Sequence, residues 1–164
     1  MRCLTGDYAE AGDLLHRALG FCQDLGNRHG QANALNDLGH VLHLTGKHDE
    51  AARQLRRALA LFRDIGDLQG EAEALNNMGA LLDASSGPRG PGKGLTAYRR
   101  ALSLARRVHS PLDEARALEG AARCQSRIPE AGPPPRPTSG GLSTSTDAWA
   151  PPRRRPSPVF RQSE

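Results

Sequence analysis

Apolar residues recur three and four positions apart through most of this chain. Ala51, Leu55, Ala58, Leu59 and Phe62 mark one helical face, and Ala72, Leu75, Met78, Gly79 and Leu82 mark another. Gly46 and Gly66 sit between such stretches, where a helix must stop and the chain must turn. The pattern predicts pairs of antiparallel helices.

The pairs repeat. Residues 6–45 set over residues 46–85 are identical at 16 of 40 positions, without a gap. The identities include Leu15/Leu55, Ala18/Ala58, Gly26/Gly66, Leu35/Leu75, Asn36/Asn76 and Gly39/Gly79. A third copy follows with three extra residues in its loop: YRRALSLARRV (98–108) repeats LRRALALFRDI (55–65), and DEARALEGAARC (113–124) repeats GEAEALNNMGAL (70–81). Glycine costs about 1 kcal/mol against alanine inside a helix, so its return at Gly39 and Gly79 points to close approach of two backbones. One hairpin cannot bury its apolar face alone; stacked neighbours complete the core.

Leu35, Leu38, Gly39, Leu42, Ala51, Leu55 and Ala58 fall at the signature spacing of the tetratricopeptide repeat, and Met1 to about Arg127 resembles that family. The family's usual Trp and Tyr of the first helix are Leu here, and its closing Pro is absent. With GDLQGEAEALNNMG (66–79), the 40-residue period is similar to the longer subclass. It is especially similar to the arrays at the C-terminal end of large bacterial transcriptional regulators of the antibiotic-regulator type that carry an NTP-binding module. The resemblance implies an all-α, right-handed α-solenoid of stacked hairpins over residues 1–127, binding a protein or peptide in its concave groove. It implies no cofactor and no chemistry of its own. By the same analogy the first helix of each hairpin lines the groove. That places Asn33, Asn36, His40 and His43 in one row, Glu73, Asn76, Ala80 and Asp83 in the next, and Arg116, Glu119 and Arg123 in a third. Asn is a poor helix former, so its recurrence at Asn36 and Asn76 asks for a reason. Two stand open: a hydrogen bond to a bound peptide backbone, or one between hairpins.

Composition divides the chain. Residues 128–164 hold nine of the twelve prolines, and their only large apolar residues are Ile128, Leu142, Trp149, Val159 and Phe160. Ordering a backbone costs about 1–2 kcal/mol per residue, so a disordered tail is expected there. The net charge of +4 splits evenly, +2 on the tail and +2 on the helical part. Aromatic residues are only 4% of the chain and the basic residues alternate with acids, which argues against a specific nucleic-acid partner. Cys3, Cys22 and Cys124 are odd in number and widely spaced, which excludes a zinc or disulfide framework from the expectation and fits a reducing compartment. With no run of 18 apolar residues and no leader-like opening, a cytoplasmic protein away from membranes is expected.

The ends of the array carry their own expectations. MRCLTG (1–6) aligns with VLHLTG (41–46), the end of a first helix, so the chain should turn at Gly6. ALEGAARCQSR (117–127) is a first helix whose second never follows in the sequence. An array incomplete at both ends suits self-association through them, within a part or remnant of a larger regulator. Back-translating Asp147–Arg155 in a frame moved by two bases makes glycine obligatory across Trp149/Ala150 and allows a repeat-like string. The tail is therefore expected to be a frameshifted next repeat. In the extreme, the whole chain is a truncated fragment without function.

Candidate chemistry is thin. Gly87 to Lys93 has the glycine and lysine spacing of a phosphate-cradling loop, but Gly94 stands where Ser or Thr must hold magnesium, and a helix rather than a strand precedes it. It reads instead as an enlarged loop between helices. His40, His43 and His48 lie close in sequence without a matching carboxylate, and read as solvated groove histidines rather than metal ligands. Arg56-Arg57 and Arg99-Arg100 read as solvated helix faces, and Arg153-Arg154-Arg155 as a non-specific basic run. No catalytic cluster emerges, so the chain is not expected to be an enzyme.

Overall fold

The computed structural model describes residues 3–128, apart from residues 86 and 88. The expected disorder and frameshift of the tail fall on residues outside this range, Ile128 apart. Six helices follow one another: α1 (Cys3–Asp24), α2 (Arg28–Leu44), α3 (His48–Ile65), α4 (Leu68–Ala84), α5 (Gly90–Arg107) and α6 (Pro111–Arg127). Among the described residues there is no strand, and the architecture is an all-α helical repeat.

The repeat is written into the turns. Asn27 and Asp67 cap α2 and α4 in the same way, each side-chain oxygen accepting a 2.9 Å bond from the backbone N–H three residues on, at Gly30 and Gly70. Before each cap the chain passes through a left-handed residue, Gly26 at φ +64° and Gly66 at φ +74°. At the third such place stands His109, with φ 54°. Ser110 follows it without capping α6; its hydroxyl donates instead to the Asp113 carboxylate at 2.7 Å.

Packing explains the recurring small residues. A Cβ on Gly39 would lie 2.6 Å from Leu55 Cγ, and one on Gly79 would lie 2.9 Å from the Tyr98 ring. Glycine therefore sets how closely α2 approaches α3, and α4 approaches α5. Ala51, Leu55, Ala58 and Ala72 are fully buried in the resulting core, with Leu35, Leu38 and Phe62 at 1% exposure. Full burial of each Leu or Phe side chain stabilises by about 1.5–3 kcal/mol.

Two expectations are corrected. The chain does not turn at Gly6: α1 runs unbroken from Cys3 to Asp24. A glycine inside a helix costs only about 1 kcal/mol, which the continuous hydrogen bonding of α1 through Gly6 absorbs. The run from Gly87 to Lys93 is not all loop either. α5 begins at Gly90, with Pro91 in its first turn, where its missing N–H has no helical partner to lose. Gly94 lies within this helix, where a Cβ would stand 3.0 Å from Cys124 Sγ.

Candidate functional site

The first-type helices α2, α4 and α6 lie side by side, and residues one repeat apart form rungs across them. Between them opens a cleft of about 160 Å³, bordered by His40 on α2, Asn76 and Ala80 on α4, and Arg116, Glu119 and Arg123 on α6. These are residues of the three rows that the sequence nominated. Asn77, Gly120 and Tyr98 also border it, and the sequence rows did not contain them. Tyr98 belongs to α5, a second helix, yet its ring reaches the cleft because Gly79 and Gly120 both leave room for it. The readable trace was a large ring in the register of Leu55, opposite a repeated glycine.

The remaining nominated residues sit elsewhere or are engaged in the stack. Asn33 and Glu73 border a separate cleft of about 350 Å³ with His29 and Asp67. His43 borders neither; its Nδ1 lies 3.5 Å from that of His48. Asp83, 4% exposed, receives Arg123 Nε at 3.0 Å and Arg127 Nη1 at 2.6 Å. That carboxylate locks the end of α6 onto α4, and Arg123 also donates to the Tyr98 hydroxyl at 3.1 Å.

The two asparagines hold hairpins together. Asn36 is 2% exposed; its Nδ2 donates to Glu73 at 3.3 Å and its Oδ1 accepts from Asn77 at 3.0 Å, so both contacts bridge α2 and α4. Asn76 is 4% exposed and its Nδ2 donates to the backbone carbonyl of Asp113 on α6 at 3.1 Å. Of the two readings open in the sequence, the bond between hairpins is the one this geometry carries for Asn36. Asn76 is different at one atom. Its Oδ1 is buried with no hydrogen-bond partner among the described residues, and so is Nδ1 of His40, also at the cleft. Buried polar atoms are seldom left unpaired, because each costs about 1–3 kcal/mol.

Electrostatics favour a polar, uncharged floor with charged walls. Burial, and then the positive charge of Arg116, holds His40 below the ordinary imidazole value, so its ring stays neutral near pH 7. Burial raises the Tyr98 phenol above its usual value. Arg116 and Glu119 are exposed, and neither enters an ion pair among the described residues. Beside the cleft, the fully buried Cys124 thiol is pushed up to about 11, chiefly by desolvation and then by Asp83, so it remains a protonated packing group. Among the described residues no three His, Cys, Asp or Glu side chains are grouped to hold a metal ion.

Buried amides tie the helical hairpins into a stack, and a cleft opens along its first helices. Residues 1–64 match the tetratricopeptide repeat family model. The match takes in α1, α2 and nearly all of α3. No curated protein matches the chain. Tetratricopeptide repeats generally mediate protein–protein interaction. No described helix is long and apolar enough to cross a membrane.

Proposed function

We propose that the chain is a protein-interaction module, and that its cleft between α2, α4 and α6 takes an extended segment of a partner protein. The supporting observation is that Asn76, which lines the cleft and is held through its Nδ2, has a buried Oδ1 with no partner among the described residues. A peptide N–H is the complementary group. Arg116 and Glu119 flank that point with opposite charges, so the segment would carry an acidic and a basic residue on either side of the bonded peptide group. Asn36 and Asp83 act in this reading as supports for the cleft, and Asn33, Glu73 and His43 as its outlying polar surface. In the frame of the sequence resemblance, the module would be the interaction arm, or a remnant of it, of a larger regulatory protein working in the cytoplasm.

The test is a selection of random peptides displayed on phage against the intact chain, followed by calorimetric titration of the selected peptides. Arg116→Ala and Glu119→Ala should each weaken them about fivefold or more, on the scale of an interface residue worth about 1 kcal/mol. Arg53→Ala, exposed on α3, is the control. Peptides bound equally well by all variants, with helicity unchanged, would refute the assignment of this cleft.

A further inference from the structure

The outermost described helices expose faces that every inner hairpin covers. Leu35 and Leu75 are 1% and 5% exposed, whereas Leu118, at the same repeat position on α6, is 46% exposed. Ala32 and Ala72 are fully buried, but Ala115 is exposed; Gly39 and Gly79 are buried, but Ala122 is exposed. Gly39 and Gly79 are the points where α2 meets α3 and α4 meets α5, through Leu55 and Tyr98. The open face of α6 corresponds to the face on which α2 and α4 seat their second helices.

α1 presents the opposite half. It is a second-type helix, in register with α3 and α5. Ala58 and Ala101 are fully buried, while Ala18 at the same position of α1 is exposed. Leu14 and Phe21 on α1 are 54% and 62% exposed. Its Leu15, in register with the buried Leu55 and Tyr98, is covered only in part.

A charge pattern supplies the occupant. Glu71 on α4 takes two arginines, Arg63 of α3 at 2.7 Å and Arg100 of α5 at 3.2 Å. Glu114, its counterpart on α6, takes Arg106 of α5 at 2.8 Å, the counterpart of Arg63. The second arginine would come from the helix that α6 lacks among the described residues. In register with Arg100 on α1 stands Arg17, exposed and in no ion pair among the described residues.

From this we infer that α1 of one copy docks on α6 of a second, with Arg17 meeting Glu114 and Leu118 covered by the Ala18 face, rebuilding between chains the hairpin that α2–α3 and α4–α5 build within one. The contact is heterologous, each copy offering one surface and receiving the other, so it propagates into open strings rather than closing as a two-fold dimer. Ala122 replaces the glycine of the inner hairpins, and its Cβ faces the partner's Leu15. The junction therefore sits slightly wider, and is weaker, than the intrachain ones. The inference uses a different surface from the peptide cleft and does not depend on it.

Sedimentation velocity of the intact chain over a wide concentration range tests it. The mass should rise with concentration past a dimer. Ala18→Glu blocks only the α1 surface and Leu118→Glu only the α6 surface; both positions are exposed, and circular dichroism verifies the fold. Each variant alone should stay monomeric, and an equimolar mixture should stop at a one-to-one dimer, because one good α1 meets one good α6. Arg17→Glu should weaken association, and mixing it with Glu114→Arg should restore it. A wild-type chain that is monomeric throughout overturns the proposal. So does a mixture that stays monomeric, or loss from Leu118→Glu without loss from Ala18→Glu, which would assign the α6 face to another occupant such as residues 129–164.

Discussion

Asn36 Oδ1 accepts a hydrogen bond from Asn77 Nδ2 at 3.0 Å, across the contact between α2 and α4. Both residues are nearly inaccessible, 2% and 6% exposed, and both lie on first helices of successive hairpins. Asn36→Ala would leave the Asn77 amide buried without this acceptor. The expected loss is about 1–3 kcal/mol of unfolding free energy, read by urea denaturation. In a double-mutant cycle with Asn77→Ala, the coupling should be at least about 0.5 kcal/mol. Additive losses would show that the bond contributes nothing to the stack.

Tyr98 needs glycine on two sides. A Cβ on Gly120 would run into the Tyr98 ring, and one on Gly79 would come to 2.9 Å from it. Gly120→Ala should therefore destabilise by about 1–3 kcal/mol through overpacking. In a Tyr98→Leu background the same substitution should lose most of its cost, since the ring that it meets is gone. Equal costs in both backgrounds would place the origin elsewhere, for instance in the helix itself.

His109 occupies a left-handed position that Gly26 and Gly66 hold in the other turns, at φ 54° against +64° and +74°. A side chain with a Cβ carries a penalty of roughly 1–2 kcal/mol there. His109→Gly should give a net gain of about 0.5–1 kcal/mol after the unfolded-state entropy of glycine is subtracted. Thermal denaturation reads it directly, and a lower melting temperature would mean that the imidazole makes a compensating contact.

Acid should weaken the array through His40 and His43. Burial comes first among the causes that hold both below the ordinary imidazole value, with Arg116 adding at His40 and His48 at His43. A depressed histidine contributes stability that is complete above the unfolded value of about 6.5 and is lost as pH falls through the folded value. Asp37 and Glu73, raised chiefly by burial, run the other way: their contribution is complete below the unfolded carboxylate values and is lost as pH rises through the folded ones. Between pH 7.5 and 5.5 the imidazoles should govern, and the melting temperature should fall. His40→Asn should flatten that slope, and an unchanged slope would exonerate His40.

The phase of the apolar residues was enough to read the helices, because a period near 3.6 has no other common solution. The hairpin turns at Gly26, Gly46 and Gly66 were legible for a similar reason, since a left-handed residue favours glycine. The turn between α5 and α6 was placed by the repeat alone, because His109 carries no such mark. The start of α5 at Gly90 was hidden by glycine and proline, which look like a loop unless packing shows that the proline stands in a first turn.

For the candidate cleft, sequence spacing placed His40, Asn76, Arg116, Glu119 and Arg123 on the first helices, and these five do border one opening. It could not separate Asn36, spent between hairpins, from Asn76, whose buried Oδ1 has no partner among the described residues, because the two are identical in the repeat and differ only in their neighbours. Asp83 likewise reads as a groove acid until Arg123 and Arg127 are seen to close on it. The sequence by itself determined the helical period, the hairpin unit and the residue ladder, all of which follow from local spacing along one chain. Tertiary structure alone decided which rungs are buried, which polar atoms lack a partner and which helices have an open face. Those depend on what stands across a helix-to-helix contact some forty residues away, and there Leu35 and Leu118 occupy the same repeat position with opposite burial.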